Sequence, residues 1–249
     1  MRFKDSTKHS KKVGLSHLVF YKVIIMDDSI KRYISEFVGT FALVFIGAGS
    51  VATNYISEGA LGLIGIAAAF GLVVMAMIYT TGHISGAHIN PAVTIALLVT
   101  KKIGLKDGSI YVGAQLLGAV FAGLTLKMIY PTAVEGVNLG TTALGSGIGF
   151  STGILVEAIL TFLLVLTVFG VAVDSRAPAG FAGFVIGMVV LFDILVGGPL
   201  TGASMNPART FGPALASGFW KDHLVYWIGP VVGGVVAGVA YEGIFAERN

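Results

Sequence analysis

Of the 249 residues, 55% are hydrophobic and 12% charged, and the mean hydropathy is +0.87. A soluble domain of that composition lacks the charge to cover its surface, so the numbers point to a membrane setting. A formal charge of +3 singles out no nucleic-acid partner, and the absence of cysteine excludes a disulfide framework, thiolate chemistry and a Cys-based metal site.

Residues 1–26 are basic, with Arg2, Lys4, Lys8, Lys11, Lys12 and Lys22, and an apolar run over 13–26 is broken by Ser16, His17 and Lys22. No small-residue cleavage site follows the run, which argues against a signal peptide. A disordered or translational extension and an amphipathic segment on an anionic leaflet both remain open. The rest, 27–249, reads as one membrane-embedded domain: a first repeat over about 30–130, a polar Gly-rich linker over 131–147, and a second repeat over 148–249.

Six stretches have the length and apolarity of membrane spans: 34–55, 61–81, 109–130, 149–173, 179–196 and 223–245. Between the second and third lies Asn90-Pro91-Ala92; between the fifth and sixth lies Asn206-Pro207-Ala208. Asn is a favoured N-cap and Pro suits the next position, so each word starts a helix. The preceding stretches, 82–89 and 197–205, are expected to be extended or irregular. From Asn90 to Thr100 a helix would be about 15 Å long, half of a hydrocarbon core of roughly 30 Å. Each word therefore predicts a loop that enters the membrane, turns helical at the midplane and leaves by the face it entered.

The halves match elsewhere: Glu36, Thr40 and Phe41 against Glu157, Thr161 and Phe162, and Tyr111, Gly118 and Gly123 against Tyr226, Gly233 and Gly238. Three spans per unit force the second unit upside down, and inverted repeats place a site at the midplane where the broken helices meet. With the N-terminus inside, thirteen Lys and Arg fall inside and only Lys127 and Lys221 outside, Arg209 standing apart, so both termini are expected in the cytoplasm of a multi-pass cell-membrane protein. Pairs such as Gly183/Gly187, Gly229/Gly233 and Gly234/Gly238 read as close helix packing.

Irregular backbone at membrane depth must be buried in protein or line water, which argues for an aqueous path. Carbonyls of Gly86, Ala87 and His88, and of Gly202, Ala203 and Ser204, would supply acceptors along it. The amides of Asn90 and Asn206 would hold one passing water and break a proton wire. Two opposed helix N-termini and Arg209 add a positive barrier to cations. His88 is the better pore-lining histidine, while His83 reads as a packed loop residue.

The stretch 83–94 and the run Asn206-Pro207-Ala208-Arg209-Thr210-Phe211-Gly212-Pro213 resemble the two signature loops of the aquaporins, or major intrinsic proteins. That resemblance covers about residue 27 to the C-terminus and implies an all-α right-handed bundle of six spanning helices and two half-membrane helices. It also implies a pore in each monomer and a homotetramer. By the family's spacing the constriction falls on Phe70, Ile194, Ala203 and Arg209, and Glu36 and Glu157 accept backbone N–H groups of the two loops. Water-selective members typically carry His where Ile194 stands; glycerol conductors usually carry Gly there, an aromatic at the Ala203 position and Asp after the Arg, where this chain has Thr210. Such a filter is similar to that of archaeal aquaporins, and implies water permeation with some passage of glycerol, carbon dioxide or hydrogen sulfide. A glycerol facilitator is the alternative, and an ion-coupled secondary transporter a more distant one. No nucleophile and base pair or metal cluster stands out, so no enzyme, cofactor or metal is expected. Asp193 has no evident partner in the sequence; the outer mouth, a subunit contact and Arg209 are all open to it.

Overall fold

The computed structural model describes residues 27–247; the basic segment before them and Arg248 lie outside the described residues. Six long apolar helices cross the fold: α1 (Asp28–Ile56), α2 (Gly62–Ser85), α4 (Leu105–Ile129), α6 (Phe150–Val168), α7 (Ala182–Thr201) and α9 (Val225–Ala240). Two short helices, α3 (Pro91–Val99) and α8 (Pro207–Ser217), interrupt them, and a single turn, α5 (Ala133–Val137), lies in the linker. Both α6 and α9 end in a π-helical turn, Phe169–Val173 and Tyr241–Phe245.

Local sequence sets the ends. The Asp27 side chain caps α1 by accepting from Ser29 N at 2.7 Å. Pro91 and Pro207 take the first helical position of α3 and α8, where no N–H is missed. Contrary to the expectation of irregular backbone over 82–89 and 197–205, α2 and α7 run on to Ser85 and Thr201, so only the four residues before each Asn are irregular. The stop comes from Gly86 and Gly202, which take left-handed φ of 87° and 82° as C-caps, a conformation glycine adopts without steric cost.

Close packing follows from small residues. A Cβ on Gly71 would lie 2.6 Å from the carbonyl of Gly187, and one on Gly187 equally near the carbonyl of Gly71, so α2 and α7 touch backbone to backbone. Gly229 and Gly233 seat α9 on Ile154 and Ala158 of α6. The half-helices pack across the repeats. Gly212 of α8 abuts Ala119 and Gly123 of α4, and Ala92 of α3 faces Gly234 of α9. Large apolar side chains such as Leu117, Phe121, Leu155, Ile159, Val232 and Val236 stay about half exposed on the outside, the surface that lipid would cover. Arg32 and Tyr33 bond Asp107 at 3.5 and 2.6 Å, joining the starts of α1 and α4 on one face; Thr53 and Tyr130 join their far ends at 3.0 Å.

Candidate functional site

The two Asn-capped turns meet at the centre. Asn90 Oδ1 accepts from Ala92 N at 2.8 Å, and Asn206 Oδ1 accepts from Ala208 N and Arg209 N at 3.0 and 3.3 Å. Each amide then donates across the repeat boundary: Asn90 Nδ2 to the carbonyl of Met205 at 2.8 Å, and Asn206 Nδ2 to that of Ile89 at 2.9 Å. A reciprocal clasp results, using one amide hydrogen of each Asn and leaving the second free to donate. Nothing in the sequence points to this clasp, because its acceptors lie over a hundred positions away.

The loops that enter these caps are bent by left-handed residues. Ala87 and Ile89 have φ of 48° and 43°, and Ala203 and Met205 have 45° and 52°. For non-glycine residues such backbone costs about 1–3 kcal/mol each, and a β-branched Ile is the least suited. Buried carboxylates oppose that strain. Glu36 Oε1 accepts from Ser85 Oγ and His88 N at 2.7 and 3.0 Å, and Oε2 from Ile89 N and Gln115 Nε2 at 2.7 and 2.8 Å. Glu157 Oε1 accepts from Thr201 Oγ1 and Ser204 N at 2.7 and 2.8 Å, and Oε2 from Met205 N at 2.7 Å. Tyr111 and Tyr226 donate to the last helical carbonyls, Ser85 and Thr201, each at 2.9 Å. All four of these side chains are buried.

A cavity of about 370 Å³ runs along the clasp. Phe70, Gly86, Ala87, His88, Asn90, Ile194, Ala203, Ser204, Asn206 and Arg209 line it. Gly202 is not among its walls and packs against Thr142 instead; Pro91, Ala92, Pro207 and Ala208 lie behind their asparagines, inside the helices. His88 Nδ1 meets Thr94 Oγ1 at 3.1 Å, whereas His83 is exposed near the end of α2 and outside the cavity.

Arg209 is 4% exposed, with its guanidinium carbon 4.7 Å from the centre of the Phe70 ring. Its Nη1 donates to the carbonyl of Gly140 at 2.6 Å, and Nε has no partner among the described residues. A turn with three successive left-handed residues, Asn138, Leu139 and Gly140, presents that carbonyl. In sequence the linker is only polar and Gly-rich; a buried Leu139 beside a glycine is the faint trace of a folded turn there. Ile194 adds an apolar wall. Asp193, next to it, is 2% exposed and turned into the protein, with no hydrogen bond to its Oδ2 among the described residues, so neither the outer mouth nor an ion pair with Arg209 accounts for it.

Among the described residues no group of three or more His, Asp or Glu converges as a metal site. What the arrangement offers is a cavity with amide donors at the Asn clasp, one buried cation among the described residues on its wall, and otherwise mostly apolar lining.

Comparison with known proteins bears on the chain almost throughout. The model of the family described as "Major intrinsic protein" matches residues 24–241. Aquaporin AqpM of Methanothermobacter thermautotrophicus is 46% identical, with 87% of this chain and 98% of that protein covered. Aquaporin TIP4-4 of Zea mays is 45% identical, with 88% of each chain covered. Among solved structures, the aquaglyceroporin from Plasmodium falciparum superposes with a TM-score of 0.78 at 30% identity, over 87% of this chain and 96% of that one.

Proposed function

The chain belongs to the major intrinsic protein family of membrane channels, and on that premise we propose that it is a passive water channel that excludes protons and ions and lets small neutral solutes leak. The observation that carries the reading is the pairing of Arg209 with the Phe70 ring on the cavity wall, one helical turn from the Asn clasp. A fixed guanidinium and two helix N-termini, each equivalent to roughly half a positive charge, repel cations. The free amide hydrogens of Asn90 and Asn206 hold a passing water by its oxygen, turn its hydrogens apart, and interrupt proton relay. Glu36 and Glu157 act as supports of the two loops, and Phe70, Ile194, Ala203 and Arg209 as the filter.

A second reading, a glycerol conductor, has its own support. Ile194 offers the filter an apolar wall, and such a wall suits the carbon backbone of a polyol. Both readings place the channel as a homotetramer in the cell membrane with its termini in the cytoplasm, and assign it no catalysis. Light scattering by proteoliposomes separates them: shrinkage in an impermeant osmolyte measures water, and re-swelling in glycerol at equal osmolarity measures the solute. Fast water with slow glycerol supports the first reading, and comparable rates support the second. Shrinkage no faster than lipid-only vesicles would overturn both.

A further inference from the structure

At the end of the cavity away from Arg209, the wall is made by Leu97, Val168, Ala172 and Val173, and among the described residues one side chain there is charged: Lys102. Lys102 Nζ lies 3.0 Å from Glu242 Oε1, with about a third of each side chain exposed. Glu242 belongs to the π-helical turn Tyr241–Phe245 that closes α9, while Ala172 and Val173 belong to the turn Phe169–Val173 that closes α6. The rings of Phe169 and Tyr241 meet between these turns, tilted, with centroids 5.8 Å apart. A clamp holds the turn Tyr241–Phe245: Tyr241 donates to Asp174 Oδ2 at 2.9 Å, and Arg176 bridges Asp174 and the carbonyl of Phe245. Such turns are rare and collect at functional sites. The last helical turn among the described residues is thus pinned beside the mouth of the cavity and carries the anion that holds Lys102.

We propose that Lys102 is a second passage-controlling residue, and that Glu242 is its positioning residue, holding the ammonium at the rim and so keeping this mouth open. Lys102 has a long flexible stem; released, its ammonium swings over an otherwise apolar opening and obstructs it. An exposed ion pair of this kind is weak and screened by salt, so the latch sits near balance and responds to ionic strength. The inference rests on the channel reading above and adds a control point distinct from the filter.

Water flux through proteoliposomes carrying the full chain tests it. Glu242→Gln is expected to slow flux roughly threefold, the scale on which one exposed pair biases an equilibrium. Lys102→Ala is expected to raise flux, and the double variant Lys102→Ala/Glu242→Gln to match Lys102→Ala, because no ammonium is left to obstruct. Added salt on both sides slows the unmodified protein and leaves Lys102→Ala unaffected. A Glu242→Gln variant as fast as the unmodified protein, or a double variant as slow as Glu242→Gln, overturns the latch while the channel reading stands. An unmodified protein that conducts no better than lipid removes both.

Discussion

The two loops share one frame and differ in what they turn toward the cavity. In both, a buried glutamate holds two backbone N–H groups and a hydroxyl, a tyrosine holds the last helical carbonyl, and an asparagine caps the half-helix and reaches across to its twin. Around that frame the first loop has His88 and Val93 where the second has Ser204 and Arg209. Gln115 adds a fourth bond to Glu36, while the equivalent place beside Glu157 is Pro230. Duplication therefore supplies a strained but well-supported pair of turns. Divergence at a few cavity positions puts the buried guanidinium of Arg209 on one side of the clasp, where the first loop has the uncharged Val93.

Removing the frame should have the largest effect. Glu36→Ala leaves four donors without their acceptor, and Glu157→Ala leaves three, at about 1–3 kcal/mol for each buried unsatisfied group. Both variants are expected to lose most folded protein in detergent, Glu36→Ala the more severely; thermal unfolding of the purified protein measures it. Equal wild-type melting would mean the loops stand without the carboxylates. Glu36→Gln is expected to lower stability more than it changes solute selectivity.

Making the second loop resemble the first is the next test. Arg209→Val removes charge and bulk together, and the leak of glycerol and small ions through proteoliposomes is expected to rise about tenfold, equal to about 1.4 kcal/mol off a barrier. An unchanged solute profile would separate Arg209 from the constriction. Ile194→His should act more gently in the opposite sense: a larger polar side chain narrows the filter, so glycerol flux falls by more than water flux. Equal falls in both would displace Ile194 from the filter.

The smallest expected effect concerns an aromatic group that only the second repeat has. His223 accepts from Trp227 Nε1 at 3.1 Å and lies against Trp220, with Phe211 of α8 packed on the same group, while its counterpart in the first repeat is Gly108. Burial pushes the imidazole below its ordinary value of 6.5, so the folded protein resists a proton that the unfolded chain accepts. This contribution is complete above pH 6.5 and is lost as pH falls from there through the depressed value. Melting in detergent is expected to be slightly lower at pH 5.5 than at 7.5, and His223→Phe to flatten that slope. The clamp at the other face contrasts with it. Arg176 holds the Asp174 carboxyl far below the carboxylate range by hydrogen bonding, so that clamp stays charged throughout the same interval.

Much of the architecture was legible in residue order alone. Spans of about twenty apolar residues, two Asn-Pro-Ala words and an odd number of spans per repeat determine six crossings, two half-helices and their inversion, since each follows from local hydropathy, capping and topology. Chain order also singled out Asn90, Asn206 and Arg209, because an Asn cap and a cation at membrane depth are conspicuous without neighbours. Tertiary structure decided what these residues touch. The Gly140 carbonyl behind Arg209, the crossed bonds between Asn90, Met205, Asn206 and Ile89, and the meeting of Lys102 with Glu242 all join segments far apart in the chain. A hydrogen bond depends on about 3 Å of separation and a direction, and only packed helices set either one for residues so far apart in the chain.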